Sequence, residues 1–207
     1  MRSKPFLGLS ILCFVLMAAP VATAATTIGK VSRLHGTARG AAEGVWHQLA
    51  TDDPVSLDET VVTGAGSRLE MILDDDTVLT LGANARLRID SFVYDPGRVS
   101  RLRTTVVGAF RFVSGKVPAG ATHQATVTTP FAVIGVRGTN FWGGPVDGGF
   151  GVLLLEGAVS VTHSGATVNL TTPGQGTSFA NAAAPPGSVV VWGQDKVNRA
   201  LATITFP

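Results

Sequence analysis

The sequence predicts an all-β fold of short antiparallel strands, with little or no helix except near the C-terminus. Three observations predict it. Segments with period-two alternation recur roughly every ten residues, Gly, Pro and Asp clusters punctuate them, and helical periodicity scarcely appears before about residue 195. That pattern suits a sandwich, a barrel or a solenoid. A weak internal echo favours stacked, similarly shaped strand pairs over a closed barrel: Gly29-Lys30-Val31, Gly108-Ala109-Phe110 and Gly157-Ala158-Val159 each open an alternating strand at unequal intervals.

The first 24 residues read as an export signal. Arg2 and Lys4 precede an apolar run from Phe6 to Ala19, and Ala22-Thr23-Ala24 offers the small-x-small pattern of a cleavage site. The run is short of the roughly 20 apolar residues a membrane span needs. A mature chain starting near Ala25, with no transmembrane span, is expected in the periplasm, with the cell surface or secretion as alternatives. Cys13 lies mid-run after Leu12 and is poorly placed for lipidation, so the mature chain has no thiol chemistry. The precursor carries 16 Lys+Arg against 14 Asp+Glu, and loss of Arg2 and Lys4 leaves it formally neutral. The basic character therefore belongs to the precursor and gives no support for nucleic-acid binding.

In chain order, Gly29–Leu34 is the first expected strand, followed by a Gly/Ala-rich turn and by Val45–Leu49, where Trp46 is expected as a core anchor. Val61-Val62-Thr63 runs into a Gly64-Ala65-Gly66 turn. Ser67–Leu73 then aligns Leu69, Met71 and Leu73 on one face, and Thr77–Leu81 returns across an Asp74-Asp75-Asp76 tip. Ala85–Tyr94 alternates Arg86, Arg88 and Asp90 against Leu87 and Ile89. After Asp95-Pro96-Gly97 come Arg101–Val107 and Gly108–Val113, with Phe110 and Phe112 on one face. Thr126 to Val161 is the expected spine. It holds two apolar runs, Phe131–Val136 and Phe150–Leu155, each expected to be covered on both faces and joined by a Gly/Pro-rich break at Gly143–Gly149 that supports a hairpin. Ala158–Thr162 and Thr167–Leu170 complete a domain over residues 25–180. Residues 181–207 read as a Pro/Ala-rich linker and a short extension with a helical turn or two around Asp195–Ala202.

The ordered run of motifs resembles the FecR domain: Val62-Thr63-Gly64-x-Gly66-Ser67-x-Leu69, Gly115-Lys116, Thr129-Pro130-x-Ala132-x-Ile134-Gly135-Val136-Arg137-Gly138-Thr139-x-Phe141, Leu155-Glu156-Gly157-x-Val159 and Pro173-Gly174-Gln175. The resemblance spans about Gly29 to Phe179. It implies a bacterial envelope domain, all-β and solenoid-like or two-layered, with no catalytic residues to carry over. Regulators of the iron-citrate type that share this domain also have a cytoplasmic segment and a membrane span; only Met1–Pro5 precedes the apolar run here. A free-standing exported form is therefore expected, not the full anti-sigma regulator.

Candidate sites are few. Asp74-Asp75-Asp76 lacks the spacing of a calcium loop and reads as a hairpin tip. His35, His47, His123 and His163 show no metal-ligand spacing, and no G-x-S-x-G, nucleophile–base pair or phosphate loop occurs. No enzyme activity, cofactor or metal is expected. Charge is asymmetric, with nine acids and one base from Ala41 to Asp76 and seven bases and two acids from Arg86 to Lys116. One account pairs these charges across neighbouring strands. The other makes Arg86, Arg88, Arg101 and Arg103 a basic face for an anionic glycan or a partner protein. Arg137 and Glu156, which end the two apolar runs, are expected to form a partly buried cross-strand pair, and Gly138-Thr139 a bulge or bend beside it, with Gly157 in the same structural motif. The functions these features support are a non-catalytic binding or sensing module in cell-surface signalling, partnered by another envelope protein, or a structural or assembly factor of the surface or secretion apparatus.

Overall fold

The computed structural model describes residues 25–115 and 122–207; the expected signal segment and Lys116 of the Gly-Lys motif lie outside the described residues. The strands are β1 (Thr27–His35), β2 (Ala38–Ala42), β3 (Val45–Gln48), β4 (Pro54–Ser56), β5 (Thr60–Thr63), β6 (Arg68–Leu73), β7 (Val78–Leu81) and β8 (Arg86–Asp95). They continue with β9 (Val99–Val107), β10 (Phe110–Val113), β11 (Thr122–Thr128), β12 (Val133–Val146), β13 (Gly149–His163), β14 (Ala166–Leu170), β15 (Gln175–Phe179) and β16 (Val190–Val191), and helix α1 (Gln194–Ala202) follows. The all-β class and the late helix stand as expected. The strands join into a single hydrogen-bonded sheet that curls into an open half-barrel.

The long β12–β13 hairpin organises this sheet. Its turn is Asp147-Gly148, both at positive φ (52° and 79°), the conformation of a two-residue hairpin turn whose twist matches its strands. One edge of β12 meets β13 throughout. Its other edge meets β11 over Val133–Val136 and β10 over Asn140–Gly143. The sheet therefore forks at residues 137–140 into two ribbons, β11-β9-β8-β5-β2-β3 and β10-β7-β6-β1-β4. Within the first ribbon β9 and β11 run parallel, a departure from the antiparallel expectation.

Alternation explains the core. Leu69, Met71, Leu73, Leu79, Leu81, Leu87 and Ile89 are all buried inward, as the sequence pattern predicts. At the centre Phe141 lies between Phe110 (centroids 5.7 Å, edge-on) and Phe112 (5.6 Å, stacked). The motif Thr129-Pro130-x-Ala132 is the turn between β11 and β12. The Thr129 hydroxyl accepts the amides of Phe131 and Ala132 and donates to the Ala132 carbonyl.

The two halves of the spine differ on their outer faces. Toward the Asp147 turn, Trp142 and Leu153 point away from the main core and are covered by Trp192, Ala200 and Ile204 of the C-terminal segment. Gly151 and Gly176 make room for the Trp192 ring, since a Cβ at either would fall 2.4–2.6 Å from it. The Trp142 Nε1–H donates to Thr203 Oγ1 at 3.0 Å, Arg199 forks onto Asp147 at 2.9 and 3.2 Å, and the Lys196 ammonium lies 4.2 Å from the Trp192 centroid. Residues 190–204 thus pack back onto the sheet. Double coverage of this half is why Phe150–Leu155 reads as continuously apolar.

Several expectations need correction. Phe131–Val136 is buried on one face only: Ile134 and Val136 are inward, while Val133 is 45% exposed. The strand does not break at Gly143 but continues to Val146, with Gly143 and Gly144 bare because Phe110 and Ala109 press against them. Trp46 is no core anchor. β3 is an edge strand, and Trp46, 45% exposed, lies against the Arg39 guanidinium (5.0 Å). The Gly/Ala-rich segment after β1 is itself strand β2.

Candidate functional site

The fork is built from the most distinctive motif residues. Arg137 faces Ala158 and Asn140 faces Glu156, with Gly138 and Thr139 opposite Gly157 between them. This is the expected bulge. Both glycines have positive φ (57° and 80°), and Gly157 comes so near the Gly138 carbonyl that a Cβ would fall 2.2 Å from its oxygen. The buried Thr139 hydroxyl plugs the bulge, its one proton shared between the carbonyls of Ala158 (2.7 Å) and Arg137 (3.0 Å), while its amide donates to Ser114 Oγ (2.9 Å). The expected Arg137–Glu156 pair does not form. Both side chains are exposed and no ion pair joins them, because the irregular register sets each against a different neighbour.

Beyond the bulge, the outer face of the spine's first half is uncovered. Here lies a groove of about 860 Å3 lined by polar and small residues, notably Gln124, Thr126, Arg137, Ser160, Asn169 and Thr171. Gly135 forms its floor between Thr126 and Ser160. The parallel register sets Arg101 beside Gln124 and Arg103 beside Thr126, so both arginines border the groove. The structure therefore unites Arg101 and Arg103 with Arg137 on one face. Arg86 and Arg88 lie further along the same surface, on β8, around a smaller concavity with Thr60, Asp90 and Thr105.

The two accounts of the basic strands can now be separated by residue. Arg88 is paired, with Asp58 at 2.8 Å and Asp90 at 3.8 Å. Arg86, Arg101, Arg103 and Arg137 make no ion pair among the described residues, and no acid lines the groove. Sequence reasoning missed Gln124, Thr126, Ser160 and Asn169, whose only signal is outward phase on strands flanking Arg137.

At the inner end of β11, His123 sits beside Ser100 in the parallel register. Burial pushes its imidazole below the ordinary value, partly opposed by the Asp75 carboxylate. Asp75, in the expected hairpin tip, is buried; it accepts the Ser100 hydroxyl and the Thr77 amide, which secures the β6–β7 turn to β9. No cluster of metal-ligating side chains occurs among the described residues, and none of their helices is long and apolar enough to cross a membrane.

Fold and face together define a class: a single-sheet β domain forked about a glycine-bulged hairpin. The chain carries a FecR domain, since residues 59–160 match the family model described as FecR protein. Two crystal structures of a protein described as a "putative anti-sigma factor" from Parabacteroides distasonis share the fold. Each is 21% identical, with TM-scores of 0.54 and 0.55 over 69% of this chain. The match spans 64% and 63% of those chains. No curated protein matches the sequence.

Proposed function

We propose that this protein is an exported, non-catalytic FecR-domain module of the bacterial envelope that binds a partner and takes part in cell-surface signalling. The observation that carries the reading is the uncovered groove beside the family motif. One half of the spine is sealed by residues 190–204, whereas the other presents polar side chains and arginines without acidic partners among the described residues. Membership in the FecR family supports a regulatory role, and the Met1–Ala24 pattern supports export.

Site-specific photo-crosslinking in the envelope tests this. A crosslinker at Thr126 or Ser160 should capture a defined partner that one at Glu43, in the β2–β3 turn at the far end of the same ribbon, does not. Indistinguishable adducts at all three positions would sink the reading. N-terminal sequencing of the exported protein should begin at or near Ala25. The assembly reading keeps one supporting observation: the open edge strand β3 displays Val45 and Trp46 to solvent.

A further inference from the structure

We propose that the groove over β11–β14 is a binding site for an anionic, hydroxyl-rich polysaccharide, held by Arg101, Arg103 and Arg137. This rests on the groove being the binding surface. It goes further by naming the ligand chemistry.

Three features select that chemistry. The first is charge. Arg101 and Arg103 are two residues apart on β9, so their origins are about 7 Å apart, and Arg137 lies two strands over, about 10 Å across the sheet. Such spacing suits anionic groups repeated along a chain, not a single small ion. With no acid in the lining, the guanidinium donors stay available for carboxylate or sulfate oxygens, which they grip in a planar fork.

The second feature is the lining. Gln124 and Asn169 offer paired donors and acceptors, and Thr126, Ser160 and Thr171 offer hydroxyls that donate and accept. That inventory matches sugar hydroxyls. The third is topology. β9, β11, β12 and β13 are each hydrogen-bonded on both sides where they form the groove, so an acidic peptide could add as a strand only along the free edge of β14, at the rim. Across the floor itself a peptide would have to bind by side chains alone. Gly135 leaves that floor bare, and a side chain there would rise into the groove beside Ser160. The volume, about 860 Å3, is ample for several sugar units.

The test uses the mature chain and three probes: an oligogalacturonate, a neutral maltooligosaccharide of matched length, and oligoglutamate of matched charge. Titration calorimetry at low salt should show saturable binding of oligogalacturonate, weakening as salt rises, weaker binding of oligoglutamate, and none of the neutral sugar. Arg137→Gln and Arg101→Gln should each weaken binding about tenfold, while Lys30→Gln, which removes the same charge from the β1 ribbon, should leave it unchanged. Gly135→Val should block the floor; thermal melting checks its folding, and the arginine variants serve if it fails to fold. Equal affinity for oligoglutamate, equal loss in Lys30→Gln, or no binding of oligogalacturonate would overturn the proposal. If crosslinks at Thr126 still capture a protein while every glycan fails, this inference falls and the binding-module reading survives.

Discussion

Gly157→Ala should be the most informative substitution in the molecule. The residue has a φ of 80°, where an alanine is strained by about 1–2 kcal/mol. The new methyl would also fall 2.2 Å from the Gly138 carbonyl oxygen and 3.0 Å from Thr139 Cα, both backbone atoms held in the bulge. Relieving that contact must displace the buried Thr139 hydroxyl, whose proton is shared between two carbonyls there, adding about 2 kcal/mol. The total, about 3–4 kcal/mol, is a large part of the 5–15 kcal/mol that holds a typical domain together. Gly138→Ala is the internal control, because its φ of 57° is equally left-handed while a Cβ there meets nothing within 4 Å. It should cost about 1 kcal/mol. In urea, with a slope near 2 kcal/mol/M, the Gly157 variant should lose roughly 1.5–2 M of midpoint and the Gly138 variant about 0.5 M. Equal midpoints for the two would refute the claim that close backbone approach, and not φ alone, fixes the bulge.

Three further outcomes are expected. Phe141→Ala, which empties the space between Phe110 and Phe112, should cost about 3–5 kcal/mol by denaturant unfolding. Thr203→Val leaves the buried Trp142 N–H without its acceptor and should cost about 1–2 kcal/mol, with faster hydrogen exchange in α1 as its signature. The Arg199 hydrogen bond holds the Asp147 carboxyl below its usual range, so its contribution is complete above the ordinary carboxylate value and disappears as pH falls through the lowered one. Exchange protection of α1 should weaken over that acid interval, and Asp147→Asn should abolish the dependence; a flat profile in the unaltered protein would contradict it.

What the sequence made legible was local. The alternation of Leu69, Met71 and Leu73, the Asp147-Gly148 turn, the Gly138-Thr139 bulge and a helix near Asp195 all follow from neighbours in the chain. What escaped depends on distant segments. Trp46 reads as a core residue until β3 is known to be an edge. The run Phe131–Val136 looks doubly covered because apolar content cannot reveal that the segment returning at Trp192 reaches only the other half of the spine. Arg101 and Arg103 join Arg137 through a parallel pairing of β9 with β11, which no short-range pattern encodes. The Arg137–Glu156 pairing failed because ordinary strand register does not hold through the irregular stretch the two glycines create.

The forked hairpin also constrains when this protein can fold. Strands β1 to β10 leave the ribosome before either strand of the spine. Local hairpins such as β6–β7 and β8–β9 can close within microseconds of being made, but the inner strands of the two ribbons, β10 and β11, find their common partner only when β12 follows. Long-range pairing of this kind is slow and leaves strand edges open meanwhile. A chain halted before Val133 would hold two unfinished ribbons with nothing to join them, the arrangement most prone to pair with a neighbouring chain. Its folding is therefore a late, concerted event, and a factor that shields the unfinished ribbons would raise the yield of soluble protein more than one that acts on the completed chain.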